Sequence, residues 1–403
     1  MEKEIDMTHF SGNIDGKNAD IKKQILGLCI ADDWSIAELS KELSCSIPTI
    51  TKLVGELIEE SFLEDMGKQG TSGGRRPSIV GLNPRAGYLA GVDVGRKSIS
   101  LIITNFKGNI VDFHENIPFE LANTAESFHA LCDLVKEQIR HSGIEMSEVV
   151  TCGFNLSGRV NSGSGYSFTY MVGEYMPLTE VLSTGMGIHV TIENDSRAMT
   201  YGEFVTGCSN EKNIIFFNVS WGLGMGMIVD GRLYYGKSGF SGEIGHFPIL
   251  NNDVLCKCGK LGCLETGASA SAVQRIIGEK LASGRSSLLS PKYEKGEEIT
   301  VDDIVEAALA EDVLVIEVIE EIGSTLGKAI AGIINIFNPE LVVIGGRLAA
   351  TRDYLLLPIK GAINKHSLNM VSKDTTVRLS KLGSKAGALG ACLLSRSKLL
   401  GLI

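Results

Sequence analysis

The sequence predicts an α/β protein in which two similar lobes follow an N-terminal winged helix-turn-helix. Two strand-rich stretches, opening near Tyr88 and near Asn213, break into apolar runs that end in Gly, Asn or Asp, the spacing of strand meanders. The residues before Tyr88 instead place apolar side chains at helical intervals between caps. The chain of 403 residues is 44% hydrophobic and holds 47 glycines, so it is well cored and rich in turns, with room for two to three domains. No apolar run reaches the roughly 18 residues a membrane span needs. The first residues, MEKEIDMTHFSGNIDG, lack the apolar centre of a secretory signal. Nine cysteines, three of them clustered beside a histidine, fit a reducing cytoplasm better than a disulfide framework. A net charge of −10 gives no general attraction to nucleic acid, so any DNA contact must come from a local patch.

Residues 1–17 read as a loose leader and 18–85 as the winged head. Ile21, Ile25 and Leu28 recur at helical spacing over 18–31. Ser35 and Glu38 form a capping box that opens a second helix, with Ile36, Leu39 and Leu43 inward. That helix stops near Ser44 and Cys45. Ser46 then caps a third helix, whose first turn tolerates Pro48 because the amide there has no partner anyway. Ile47, Ile50, Leu53, Val54 and Leu57 are its expected buried stripe. Two short helices and a tight turn behind a supporting helix make a helix-turn-helix. Beyond Leu63, two apolar pieces flank a Gly-rich basic tip with Lys68, Arg75 and Arg76, the pattern of a hairpin wing. Ser46, Thr49, Thr51 and Lys52 are placed to enter a major groove, and Arg75 and Arg76 to reach phosphates or a minor groove. The alternative is a small helical adaptor that binds protein. Glu56, Glu59, Glu60, Glu64 and Asp65 offset the basic residues, at the far end of the head.

The first lobe takes residues 86–205 and is closed by an apolar helix over 386–400; the second takes 206–385. In the first, Asp93-Val94-Gly95 falls at the turn of the meander, a helix covers 124–142, and VVTCGFNLSG is a strand. The Gly, Ser, Tyr and Phe of 158–173 suit a mobile loop over a ligand. The next strand ends at Asn194-Asp195, where a helix starts, and ligand clefts of α/β sheets form at such junctions. In the second lobe, two strands surround Gly222, Gly224 and Gly226. Close approach to phosphate or sugar explains these glycines, and so does a plain tight hairpin. Helices cover 269–282 and 301–337, with a polar surface loop over 284–298 between them. NPELVVIGGRL is a strand ending in a Gly-Gly turn.

The densest chemistry lies in 242–266, GEIGHFPILNNDVLCKCGKLGCLET. His246, Cys256, Cys258 and Cys263 are the imidazole and thiol ligands of a closed, structural zinc site, with no position left for water. Unrelated core cysteines would be scattered. Gly259 and Gly262 let the backbone fold between the sulfurs. Glu243, His246 and Glu265 frame the cluster with groups that grip hydroxyls of a small polar ligand. Glu243 and Glu265 equally suit a role in orienting His246 and its loop, and Asn194 and Asp195 equally suit a plain helix cap.

On these residues the chain resembles the ROK family (repressors, open reading frames, kinases), most closely its repressor branch. The resemblance runs from about Asn18 onward and is sharpest in GEIGH…CKCGKLGCLE. It implies a two-lobed, actin-like sugar-kinase fold behind the winged helix. It also implies zinc on His246, Cys256, Cys258 and Cys263, and sugar contact by Asn194, Asp195, Glu243, His246 and Glu265. In the kinases the residue matching Asp195 is the catalytic base. Kinases of the family carry Asp-x-Gly-Gly-Thr at the first phosphate loop, where this chain has Asp93-Val94-Gly95-Arg96-Lys97. The second loop, Gly-Thr-Gly in kinases, is Gly222-Leu223-Gly224. Phosphoryl transfer rests on positioning around the phosphates, and one lost donor costs on the order of a hundredfold or more in rate. The departures argue against efficient use of ATP and magnesium, while the new cations leave a phosphorylated sugar open as ligand. Where kinases show an Asn-Leu-Pro-Gly-Trp-like segment, this chain reads SFTYMVGEYMPL, with Thr169 or Tyr170 in place of the Asn.

The expectation is therefore a cytoplasmic, sugar-responsive transcriptional regulator, a repressor by preference. It would bind a DNA operator as a homodimer or homotetramer, because one winged helix contacts too few bases. The rivals are an ATP-dependent hexose or N-acetylhexosamine kinase with a fused head, and a protein-interaction scaffold with a degenerate pocket.

Overall fold

Local signals account for the head. The computed structural model describes residues 17–68, 78–170, 176–208 and 210–403. The leader before Lys17 and the wing tip with Arg75 and Arg76 lie outside the described residues. The head comprises α1 (Lys17–Ala31), β1 (Trp34–Ser35), α2 (Ile36–Glu42), α3 (Ile47–Glu59), β2 (Leu63–Lys68) and β3 (Ser78–Leu82). The Ser35 hydroxyl accepts the Glu38 N–H at 3.2 Å, and the Glu38 carboxylate accepts the Ser35 N–H at 2.9 Å. Ser46 caps α3 by accepting the Thr49 N–H at 3.3 Å. Ile50, Leu53, Val54 and Leu57 are buried as the stripe requires. Ile47 is not: it is 55% exposed. As the first residue of α3, between exposed Ser46 and Pro48, it lies outside the core. The strands order as β1-β3-β2, with β3 antiparallel to both neighbours.

The first large sheet opens with the meander β4 (Tyr88–Val94), β5 (Ser98–Asn105) and β6 (Ile110–Pro118). Then come α4 (Ala125–His141), capped by Thr124, and β7 (Val149–Leu156). The loop expected to cover a ligand is instead, over its described part, a small ribbon of β8 (Val160–Asn161) and β9 (Tyr166–Ser167). Its backbone is tied down, with the Phe168 N–H on the Arg159 carbonyl at 2.8 Å. A helix unforeseen from sequence follows, α5 (Leu178–Met186). It buries Leu178, Leu182 and Met186 at four-residue spacing and stops at Gly187, φ 73°. With β10 (His189–Asn194) the strand order is β10-β7-β4-β5-β6. β4–β5 and β5–β6 run antiparallel and β4–β7 parallel.

The second sheet repeats that plan. After α6 (Asp195–Gly207) come β11 (Ile214–Val219), β12 (Leu223–Val229) and β13 (Arg232–Leu233). A helical block follows: α7 (Glu265–Ala268), α8 (Ala270–Ala282), α9 (Ser290–Glu294), α10 (Val301–Leu309) and α11 (Val313–Phe337). The chain closes with β14 (Leu341–Gly345), α12 (Asp353–His366), α13 (Asn369–Lys373), β15 (Thr376–Leu379) and α14 (Ala386–Leu399). The order β13-β12-β11-β14-β15, with β11–β12 and β12–β13 antiparallel and β11–β14 parallel, matches the first sheet strand for strand.

Two expectations change here. The supposed surface loop over 284–298 contains α9, buries Leu289 and is pinned where the Ser287 hydroxyl and Leu288 N–H donate to Asp312. The helical run over 301–337 is two helices, broken at Glu311 (φ 61°), with Asp312 capping the second. The described chain divides into two compact units, 1–193 with 391–403, and 194–390.

Candidate functional site

The site begins where α6 does. Asn194 caps the helix, its side-chain oxygen accepting the Arg197 N–H at 3.2 Å while its amide donates to Asp195 Oδ1 at 3.0 Å. The same Oδ1 accepts the Ser196 N–H at 2.7 Å and the Ser196 hydroxyl at 3.1 Å. Three donors thus fix one carboxylate oxygen. Burial pushes the Asp195 carboxyl above its usual range; the Ser196 bonds oppose the shift without cancelling it, and nearby Glu243 reinforces it.

The glycines of β12 have a use that neither sequence explanation covered. A Cβ on Gly224 would stand 2.0 Å from Ser196 Oγ, and one on Gly226 would stand 2.0 Å from Thr200 Oγ1. These positions are empty so that α6 can lie directly on the strand. Gly222 serves the site more closely: its Cβ would meet Glu265 Oε2 at 2.6 Å, and that oxygen accepts the Leu223 N–H at 3.0 Å. On the same strand lies the turn that carries Glu243 and His246. Gly242 (φ 88°) would clash with the Met225 carbonyl and Gly245 with the Leu223 carbonyl if either bore a Cβ.

His246, Cys256, Cys258 and Cys263 come together, each offering one ligand atom, all within 4.8 Å of one another. Cys256 Sγ stands 3.6 Å from His246 Nδ1, and Cys258 Sγ 3.6 Å from Cys263 Sγ. A cation held tetrahedrally at about 2.3 Å from sulfur and about 2.0–2.1 Å from nitrogen spaces its ligands roughly 3.5–3.8 Å apart. Both 3.6 Å pairs fit that figure, and the four residues could hold a metal ion. Burial, then the neighbouring thiols, pushes the Cys263 thiol up to about 12; a bound cation acts the other way, since thiolate is the ligand form. The knuckle is closed by its backbone, the Leu250 N–H reaching the Gly262 carbonyl and the Leu264 N–H the Phe247 carbonyl, each at 2.9 Å. With Nδ1 facing the sulfurs, His246 Nε2 lies 3.8 Å from Glu243 Oε2. Glu265 Oε1 lies 4.0 Å from Cys256 Sγ. Both glutamates therefore flank the cluster.

Residues that sequence reasoning passed over complete the frame. Ser196 orients Asp195 and accepts from the Asn218 amide at 3.2 Å. Arg197, 2% exposed, donates to the Gly239 carbonyl at 2.6 Å and lies 5.7 Å from the Tyr235 ring centre, which steadies the segment leading into Gly242. Lys257, between two of the cysteines, stands 5.9 Å over Trp221, the neighbour of Gly222. Arg197 offered no sequence signal beyond a charge in the first turn of a helix.

Other expected residues lie elsewhere. Asp93 is the last residue but one of β4, and the Gly95 N–H closes on the Ser98 carbonyl at 3.0 Å, leaving Arg96 and Lys97 exposed on a tight turn. In the head, Ser46, Thr51 and Lys52 are exposed and Thr49 half-buried. The acids set against them are engaged: Lys22 holds Glu56 at 2.9 Å and Glu60 at 2.7 Å, and Arg85 holds Glu64 at 3.3 Å.

Matching sheets of three antiparallel and two parallel strands, a knuckle of one histidine and three cysteines flanked by Glu243 and Glu265, and a helix-turn-helix with its flanking strands earlier in the chain define an actin-like, sugar-kinase-type protein with a helix-turn-helix head. The chain belongs to the ROK family, whose model matches residues 89–398. It is 30% identical over 389 residues to a putative xylose repressor of Caldicellulosiruptor sp., covering 94% of this chain and 96% of that one. Its fold is similar to that of a ROK family transcriptional regulator described as a homolog of the E. coli MLC protein, with a TM-score of 0.79, 27% identity and 98% of each chain covered. It is also similar to a ROK family glucokinase from Streptomyces griseus in complex with glucose and AMPPNP. That match has a TM-score of 0.68 and 25% identity, covering 77% of this chain and all of that one.

Proposed function

We propose that the chain is a sugar-responsive DNA-binding transcriptional regulator, a repressor by preference. What supports this reading is the grouping of Glu243, His246 and Glu265 around the cysteines, together with the Arg96-Lys97 and Leu223 departures, on one chain with a helix-turn-helix head. Asn194, Asp195, Glu243, His246 and Glu265 would hold the sugar hydroxyls. Zinc on His246, Cys256, Cys258 and Cys263 would be structural, since four protein ligands leave no open position. When bound, it locks the knuckle so that Glu243 and Glu265 keep their places. Ser46, Thr49, Thr51 and Lys52, with Arg75 and Arg76 from the wing, would meet an operator, two heads of a homodimer or homotetramer reading its half-sites. The xylose repressor and the MLC-like regulator, matched along nearly their whole length, support this.

The second reading is a sugar kinase, favoured by the Asp195 carboxyl, held by three donors and shifted upward as a general base requires. Against it stand Arg96 and Lys97 on the first loop and Leu223 on the second. Two experiments decide. Selection from random duplexes should recover a near-palindromic site, bound about severalfold more weakly by Lys52→Ala with a salt slope lower by about one. A coupled ADP-release assay with D-glucose, D-xylose and N-acetyl-D-glucosamine should give no turnover in the range of roughly 1–100 per second typical of kinases. Turnover in that range without DNA selection overturns the regulator.

A further inference from the structure

The first sheet carries a polar cavity of its own. It lies between the tip of the β8–β9 ribbon, the first turn of α5 and the start of β10, and measures about 260 Å³. Among the described residues β10 is the outermost strand of that sheet. The ribbon tip is held in shape by Asn161, whose carbonyl accepts the Gly165 N–H at 3.0 Å and whose Oδ1 accepts the Ser164 N–H at 3.0 Å. A Cβ on Gly165 (φ 75°) would run into Thr179 Oγ1, so the tip lies directly on α5. The Thr179 N–H closes that contact on the Gly165 carbonyl at 3.3 Å.

On β10, the Thr151 hydroxyl donates to the His189 carbonyl at 3.1 Å and lies 3.0 Å from His189 Nδ1. A hydroxyl has one proton, and the carbonyl can only accept it, so Nδ1 must be the donor to Thr151. That network assigns the tautomer and leaves Nε2 of His189 as an acceptor. Burial, then Lys398, holds the imidazole below its usual value, so it is neutral near pH 7. The other polar groups of the lining are unspent. The hydroxyls of Ser162, Thr179 and Thr191 and the carboxylate of Glu180 bond to no described side chain or backbone group. Thr191 is only 9% exposed, and hydroxyls buried that far are ordinarily bonded. No lysine or arginine lines the cavity.

We propose that this cavity is a second ligand site, for a small polyhydroxylated amine in its protonated form. Glu180 is the one charged group on the lining, and both it and His189 Nε2 accept, so the ligand must bring donors and a positive charge. The three free hydroxyls donate or accept and match the hydroxyls of such a molecule. A phosphate or carboxylate would face Glu180 with no cation to offset it. The volume falls just below the roughly 300–1,000 Å³ of pockets for drug-sized ligands, which suits a single sugar ring. The lining lies within one compact unit and shares no residue with the pocket at Asp195, so the proposal stands apart from the regulatory reading.

The test titrates D-glucosamine, D-glucose and D-glucose 6-phosphate into the full chain carrying Asp195→Asn, which weakens competing binding in the other pocket. It is run at about pH 6.5, below the range in which such an amine loses its proton. Calorimetry should rank D-glucosamine first and D-glucose 6-phosphate last. Glu180→Gln should weaken D-glucosamine by roughly 2- to 5-fold, the scale of an exposed ion pair, and leave D-glucose unchanged. Thr191→Val, which keeps the branched shape and removes the hydroxyl, should weaken both by roughly 2- to 10-fold. Should that variant fail to fold, Glu180→Gln, at an exposed position, decides alone. D-glucosamine should also slow deuterium exchange at residues 162–165 and 189–191. D-glucosamine bound no better than D-glucose 6-phosphate overturns the proposal, as does parent-like affinity in both variants. Protection confined to residues 243–265 would put the amine in the other pocket and overturn it too.

Discussion

The two sheets share one strand order and have been put to different uses. In the first, the turn between the opening strands is short: Gly95 closes on Ser98, and Arg96 and Lys97 stand out from it. In the second, the equivalent turn at 220–222 is bound on every side. The Ser220 hydroxyl donates to Asn218 at 2.7 Å and accepts the Arg347 N–H at 3.2 Å, while the Leu223 N–H meets Glu265. The difference follows from what each sheet has gained. The segment after β13 inserts the histidine-and-cysteine knuckle, which sets Glu265 against its turn. The segment before β4 adds the head, whose core takes Leu89 and Phe106 from the sheet's own strands and loops. One plan thus carries the histidine-and-cysteine knuckle in one copy and the helix-turn-helix head in the other.

The strongest way to break this comparison is to remove the knuckle. Cys258→Ser should take metal content from about one per chain to near none. It should lower the unfolding midpoint by on the order of 10 °C, because structural zinc contributes several kcal/mol. Metal analysis and calorimetry check it, and full stability without metal would show the knuckle to be idle.

Next in size is Glu265→Ala, which strands the Leu223 N–H. Leaving a buried donor unpaired costs about 1–3 kcal/mol of folding stability, and losing a charged hydrogen bond to sugar costs about 1.5–3 kcal/mol, so sugar affinity should fall by roughly 10- to 150-fold in calorimetry. Arg96→Ala, on the matching turn of the first sheet, should leave affinity for an unphosphorylated sugar unchanged. A loss confined to a sugar phosphate would instead assign that turn to the phosphate.

The smallest effect is a pH dependence. Backbone N–H groups of Lys212 and Asn213 hold Glu340 below its usual range. Burial would raise Asp312, but N–H groups from Val315 and Leu288 outweigh it and hold it low as well. A carboxyl whose folded value is depressed binds fewer protons folded than unfolded. Its contribution is therefore complete above its unfolded value, near 4, and is lost as pH falls through the folded one. Stability should decline in acid from about pH 4.5 downward, and Glu340→Gln should flatten that slope. Asp195, raised rather than lowered, acts with the opposite sign and takes up its proton at higher pH than those two, so sugar that needs its carboxylate should bind more weakly as acid is added.

Much of this was legible in the chain because the signals are local. The Ser35–Glu38 box, the Ser46 cap and the spacing of Cys256, Cys258 and Cys263 need only a few neighbouring residues to be read. What escaped depends on distant partners. The glycines of β12 are explained by Ser196 and Thr200 on α6, and Arg197 by the Gly239 carbonyl. Helix α12 carries Leu355, Ile359 and Ile363 at four-residue spacing, but Pro358 inside it reads as a break. Strand β15 is a half-buried edge of four residues, too short to show alternation.

The central claim is that filling the pocket changes how tightly the head holds DNA. Anisotropy of a selected operator duplex, at fixed salt and with saturating D-xylose, D-glucose or N-acetyl-D-glucosamine, measures this directly. The account predicts a shift in operator affinity of at least about fivefold with one of these sugars, abolished by Asp195→Asn. A sugar that binds in calorimetry yet leaves operator affinity untouched would contradict it.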